Sequence, residues 1–197
     1  MNRAIAQQSP DGKKLHREDW CTPGPIIRGF YHAFRVYQMG LDPCWNPSSP
    51  VMARTKWRKK ALQRSWRGYG PVFGNFPYTR GKNGLTIWMR HAYENFKNLR
   101  EDDEDGLGLL LPSSTDTEWF HDYLLKLPDV TVCFLRGRVR HVHPDTGRLG
   151  GLASFPSLVA HCGRGADRFR SWFCKRGALW MPTEQLVKFP RRLIVSP

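Results

Sequence analysis

Asn75-Phe76-Pro77-Tyr78 is the stretch of this chain best equipped for chemistry. An apolar run, Pro71-Val72-Phe73, leads into it through Gly74. A chain that leaves a buried strand this way presents three groups together: the Asn75 side-chain oxygen, the Phe76 carbonyl and the flat face of Tyr78. The carboxyl ends of strands are where open α/β sheets bind ligands. Two acceptors beside a ring suit a planar base that carries an exocyclic amine. The same four residues also suit a strand-end turn in which the Asn is satisfied locally.

The composition narrows the partner. A net charge of +14 over 197 residues points to a polyanion, either nucleic acid or an anionic membrane surface. Hydrophobic residues make up 40% of the chain, enough for a core, which excludes a disordered tail. The length suits one compact domain. No apolar run reaches the roughly 18 residues of a membrane-spanning helix. The polar start lacks the apolar region of a secretory leader, so the cytoplasm is expected. The five cysteines are odd in number and include no CxxC pair, so no disulfide framework is expected. His141, His143, His161, Cys162 and Cys174 match no common zinc spacing, and no metal is expected.

The elements that must position the motif follow from the pattern. Residues 1–18 read as a flexible polar lead, 19–165 as the domain, and 166–197 as a basic, aromatic extension packed on it. Thr22 is a candidate cap, and Pro23 and Pro25 suit a helix start. Ile26, Ile27, Phe30, Phe34 and Tyr37 predict a helix over 26–37, with Gly40 as its stop. Leu41 and Asp42 end a short strand that Pro43 breaks. Over residues 51–69, Arg54, Lys56, Arg58, Lys59, Lys60, Arg64 and Arg67 alternate with Trp57, Trp66 and Tyr69. Such a stretch can hold phosphates and stack on bases, or it can be a solvated basic face with its tryptophans inward.

Beyond the motif, spacing predicts a helix over 85–99, a solvated acidic turn over 101–105 and a buried strand over 108–112. Residues 113–118 are rich in capping side chains and predict a helix through Trp119, Phe120, Tyr123 and Leu124. A strand over 130–135 leads to Arg136, Arg138 and Arg140, a turn covers 143–147, and a last core strand falls within 152–160. The alternation argues for an α/β fold with a mainly parallel sheet and flanking helices. The roughly 30 positions between Cys44 and Asn75 hold one crossover, so a Rossmann-like form would be a shortened one.

Seven short motifs occur in order: Trp20-Cys21-Thr22-Pro23, Leu41-Asp42-Pro43-Cys44, Asn75 to Tyr78, Leu110-Leu111-Pro112, Thr115 to Phe120, Phe134 to Arg138, and Phe155-Pro156-Ser157. In that order and spacing, residues 19–160 resemble the small phage-type DNA N6-adenine methyltransferases. The resemblance implies a class I methyltransferase fold and S-adenosylmethionine as cofactor. It also implies double-stranded DNA as substrate with the target adenine flipped out, and a phage or prophage gene; of oligomeric states, a monomer is favoured. It places Asn75, Phe76, Pro77 and Tyr78 in the catalytic loop. It places Trp20, Thr22, Pro23, Asp42, Pro43 and Cys44 beside the cofactor. Arg54, Lys56, Arg58, Lys59, Lys60, Arg80, Lys82, Arg136, Arg138 and Arg140 become DNA contacts, and Asp116 a pocket residue or a helix cap. Two departures stand out: Phe76 replaces the family's first proline, and Trp45-Asn46-Pro47-Ser48-Ser49 directly after Cys44 holds no glycine. They motivate one alternative, a catalytically impaired DNA-binding protein on this scaffold. A cytosine-N4 methyltransferase is the other, because that amine needs the same acceptor pair.

Overall fold

The computed structural model describes residues 21–78, 84–100 and 102–182. Its strands, in chain order, are β1 (Met39–Asp42), β2 (Ala53–Lys56), β3 (Pro71–Gly74), β4 (Gly106–Pro112), β5 (Thr131–Leu135), β6 (Arg140–Val142), β7 (Leu149–Leu152), β8 (Ser157–Gly163) and β9 (Gly177–Trp180). Seven form one sheet in the order β2-β1-β3-β4-β8-β5-β9, while β6 and β7 pair as a separate ribbon. The β2–β1, β1–β3 and β3–β4 pairs are parallel. β8 runs antiparallel to both β4 and β5, so β5 points the same way as β4. β9 is antiparallel to β5. The sheet is therefore mixed: the half built from residues 39–112 is parallel throughout, and the far half is an antiparallel ladder.

Helices α1 (Gly24–Phe34) and α3 (Ala166–Phe173) cover one face. Helix α2 (Leu85–Phe96) and a π-helical turn (Phe120–Leu124) cover the other. β4 explains how both faces close. It reads Gly-Leu-Gly-Leu-Leu-Leu-Pro and is buried along its whole length, as a central strand covered on both sides must be. Leu107, Leu109 and Leu111 join the α2 core, and Leu110 joins the α1 core. A Cβ on Gly106 or Gly108 would lie 2.5 Å from the ring of Phe34 or Phe30. The two glycines thus let α1 press its phenylalanines against bare strand backbone. Each ring so buried stabilises by roughly 2–3 kcal/mol.

Several expectations need correction. α1 stops at Phe34 because Arg35 takes a left-handed conformation (φ 55°), and Tyr37 beyond it is exposed. Gly40 is no helix stop. It lies inside β1, where a Cβ would sit 1.8 Å from the Tyr69 carbonyl oxygen. Pro23, not Thr22, occupies the cap position of α1, with no side-chain capping bond. The basic stretch contributes β2 as an edge strand, and Trp57 and Trp66 turn inward, so neither ring is open to a base. The Trp66 indole N–H donates to the Ala61 carbonyl at 3.0 Å.

The acidic run is not uniformly solvated. Asp105 is buried, accepts the Gly68 and Gly70 N–H groups at 3.0 Å and pairs with the Arg67 Nε at 2.9 Å. Residues 113–124 form a turn followed by the π-helical segment, not a regular α-helix. The last core strand sits later than expected, at Ser157–Gly163, because Leu149–Leu152 belongs to the ribbon. Past it, α3 packs on α1 and β9 extends the sheet. Among the described residues no helix is long and apolar enough to cross a membrane.

Candidate functional site

Since β1, β3 and β4 are parallel, Asp42, Asn75 and Pro112 leave the sheet at one edge. β2 lies on one side of β1 and β3 on the other, so the strand order reverses beside β1. Such a reversal opens a crevice at the carboxyl ends of the strands. Asp42 ends β1 and Asn75 follows β3, the two strands on either side of that reversal.

The turn after β3 is anchored by its phenylalanine. A Cβ on Gly74 would lie 2.5 Å from the Phe76 ring, so the glycine lets that ring fold back under the strand. Phe76 is 2% exposed, stacks on Trp88 (5.3 Å, 21°) and tilts against Trp66 (5.6 Å). Its side chain is committed to the core, which leaves only its backbone for a ligand. Pro77 follows, half-buried.

The Asn75 amide is gripped from both ends. Its Nδ2 donates to the Thr22 Oγ1 at 3.1 Å, and Thr22 is 3% exposed. The Tyr78 hydroxyl lies 2.6 Å from the Asn75 Oδ1 and 2.9 Å from the Leu110 carbonyl oxygen. A hydroxyl has one proton, so it serves one of these acceptors at a time. Even when it serves Asn75, the amide oxygen keeps one lone pair. Burial holds the Tyr78 phenol far above its ordinary range, with the neighbouring Cys44 adding to the effect, so the ring stays neutral. The ring meets Phe155 edge-on at 5.3 Å.

At the end of β1, Asp42 is 4% exposed and its Oδ1 accepts the Cys44 N–H at 3.0 Å, an Asx-type turn. Burial pushes this carboxyl up to about 7, against the pull of the Cys44 N–H and the Lys56 charge. Burial, and then Asp42, also raise the Cys44 thiol, which is therefore neutral. Trp45 follows. Its indole Nε1–H is buried without a partner among the described residues, and the Lys56 Nζ sits 5.2 Å over its ring. Trp45 escaped the sequence reading, although an indole directly after Asp-Pro-Cys was the available signal. Phe155 and the Leu110 carbonyl also escaped, since only the fold brings them to Tyr78.

The other expected residues divide. Thr22, Pro23, Pro43 and Cys44 gather with Asp42 and Asn75 at this edge. Lys56 pairs in register with Asp42 and joins them. Arg58, Lys59 and Lys60 are exposed on the loop leaving β2, and Arg136, Arg138 and Arg140 are exposed after β5. Asp116 is exposed in the turn after β4. Arg54 does not join them. It donates to the Tyr69 carbonyl and lines a groove of about 450 Å³ at the opposite, amino edge, with Arg35, Tyr37 and Pro71. Trp20, Arg80 and Lys82 lie outside the described residues. His161 is a core imidazole stacked on Phe34 at 4.7 Å, and burial lowers it to about 3. Among the described residues no three His, Cys, Asp or Glu side chains come close enough to hold a metal.

A mixed sheet with flanking helices and a clamped Asn-Phe-Pro-Tyr turn at the carboxyl ends of its parallel strands thus defines the molecule. Residues 10–159 match the family model described as DNA N-6-adenine-methyltransferase (Dam), and the chain belongs to that family. Neither the curated proteins nor the solved structures yield a match. The family match ends within β8, before α3 and β9.

Proposed function

We propose that this chain is an S-adenosylmethionine-dependent DNA methyltransferase that acts on the N6 amine of an adenine flipped out of the duplex. One observation carries the reading: the Asn75 amide, clamped between Thr22 and Tyr78, keeps an acceptor lone pair beside the Phe76 backbone at the edge that Asp42 shares. The exocyclic amine of adenine is a weak nucleophile because its lone pair is delocalised into the ring. Acceptors on its two N–H groups, Asn75 Oδ1 and the Phe76 carbonyl, draw it toward tetrahedral geometry. This is catalysis by position and electrostatics, with no covalent enzyme intermediate. An adenine inside the duplex cannot reach a buried turn, so the base must leave the stack. We read the sheet as a shortened Rossmann-like form whose crevice lies between β1 and β3.

The residues at the end of β1 fit the cofactor. Asp42 offers a carboxylate to a cationic or hydroxyl group, and the unpartnered Trp45 Nε1–H offers a donor. When bound, S-adenosylmethionine would supply a methyl group made electrophilic by its sulfonium. Thr22, Pro23, Pro43 and Cys44 would complete the wall. Lys56 beside Asp42 helps keep the carboxylate ionised. Arg58, Lys59, Lys60, Arg136, Arg138 and Arg140 would meet phosphates, whereas Arg54 on the opposite edge has no part in this reading.

Incubation with DNA and labelled cofactor, followed by nucleoside analysis, tests the proposal. N6-methyladenosine from the intact protein, falling at least about 100-fold with Asn75→Ala, is expected. N4-methylcytosine would reassign the base. The Tyr78 hydroxyl on Asn75 favours a second reading, a DNA-binding protein that transfers nothing. DNA and cofactor binding without transfer would establish it in place of the first.

A further inference from the structure

The β6–β7 ribbon leaves the sheet after β5 and returns to it at β8. β5 shares the direction of β4, and Pro112 at the end of β4 pairs with Ser157 at the start of β8. The ribbon therefore stands on the same edge as Asn75 and Asp42. Two ties hold it there. Cys21 and Val142 exchange both backbone hydrogen bonds at 2.9 Å, one residue from Thr22. On the return, Phe155 meets Tyr78, and the Pro156 carbonyl accepts the Ser113 N–H at 2.9 Å. The ribbon is thus fastened to the two segments that grip the Asn75 amide.

Its two faces differ in kind. Arg140 pairs with Leu152 and Val142 with Leu149, across a register irregularity that sets Gly150 and Gly151 of β7 against His141 of β6. That bulge keeps Leu149 and Leu152 on one face. His141, between Arg140 and Val142, points the other way and is buried. Leu149 and Leu152 are 62% and 61% exposed and belong to neither core cluster. Arg138, Arg140, which pairs with Leu152, and Arg148, which precedes Leu149, are also exposed. Residues 136–152 hold four arginines against a single acidic residue, Asp145. Exposed apolar side chains on a segment rich in cations mark an interaction surface. The charge specifies the occupant: phosphate attracts the arginines, and leucine is among the side chains that proteins wedge between base steps.

We propose that the β6–β7 ribbon seats the target duplex, with Arg138, Arg140 and Arg148 on phosphates and Leu149 and Leu152 filling the stack where a base has been vacated. The proposal rests on the methyltransferase reading for its purpose, but its binding consequence needs no transfer. A wedge that fills a vacated position gains affinity when the vacancy already exists. A duplex with one tetrahydrofuran abasic residue should bind the full chain about tenfold more tightly than the intact duplex.

The test is fluorescence anisotropy with both duplexes over a range of salt. Leu149→Ser with Leu152→Ser should abolish the preference for the gapped duplex and leave intact-duplex binding within about twofold. Arg140→Ala with Arg148→Ala should weaken binding to both duplexes equally and reduce the salt slope by about two. Circular dichroism confirms that each variant is folded, and the exposure of these side chains favours that. A preference that survives the leucine changes overturns the proposal, as does its absence from the parent protein. If sedimentation shows a dimer that the leucine changes dissociate while DNA binding stays constant, the ribbon joins two copies of this chain and the proposal also fails. If the preference behaves as expected while no methyl transfer occurs, the ribbon stands and the methyltransferase reading falls.

Discussion

Asp42→Asn should stabilise this protein and disable it. An ordinary aspartate titrates near 3.8, whereas burial lifts Asp42 to about 7. The raised value means the folded state favours the protonated form. Stability from this group is therefore complete below about 3.8 and is lost as pH rises through about 7. The full loss is about 4 kcal/mol, at roughly 1.4 kcal/mol per pKa unit. Between about pH 5 and about pH 8 the same linkage relation leaves about 2.5 kcal/mol. Asparagine keeps the oxygen that accepts the Cys44 N–H at 3.0 Å and never carries the charge.

Urea unfolding of parent and variant at both pH values should show the variant gaining about 2.5 kcal/mol more over the parent at the higher pH. Titrating groups that Asp42 does not influence cancel in that double difference. Calorimetry should show S-adenosylmethionine binding weakened at least about tenfold by the same change. A stability change of equal size at both pH values would refute the strained-carboxylate account. Undiminished cofactor affinity would refute the role in binding.

Three further outcomes follow from the packing. Thr22→Val removes the acceptor that orients the Asn75 amide, so kcat should fall about 10- to 100-fold with KM little changed, and Thr22→Ser should restore it; equal effects of Val and Ser would remove Thr22 from that role. Asp105→Ala strands the Gly68 and Gly70 N–H groups and leaves Arg67 with Asp103 alone, and should cost about 3 kcal/mol in denaturant unfolding. Gly40→Ala drives a Cβ into the Tyr69 carbonyl, which is backbone and cannot swing aside, so a loss of about 3 kcal/mol or more should appear as a lowered Tm or insoluble protein.

The parts of the fold legible in the sequence are those whose local pattern and tertiary role agree. β4 is an unbroken apolar run because both its faces are covered, and α2 shows helical spacing because one side meets the sheet. The Asn75 turn was legible because a strand breaks into an amide, a proline and a ring. What escaped depends on distant partners. β2 reads Ala-Arg-Thr-Lys, and only pairing with β1 makes it a strand. Asp105 cannot be told from its acidic neighbours until the Gly68 and Gly70 amides fold onto it. Trp57 and Trp66 sit among cations, and their inward turn follows from the core they meet. The separation of Arg54 from Lys56 depends on their lying toward opposite ends of β2, a difference the charge pattern hides.

β2 also closes one open side of the sheet, and this gives its charge a second meaning. An unpaired strand edge invites the backbone of another chain, and natural sheets deter such recruitment with short edge strands and protruding cations. β2 has four residues, and its exposed positions are Arg54 and Lys56. A strand arriving from a second molecule would have to lie beside both. Two cations that look like nucleic-acid contacts in the bare sequence thus guard the sheet against polymerising, whatever DNA the opposite edges of the molecule do or do not touch.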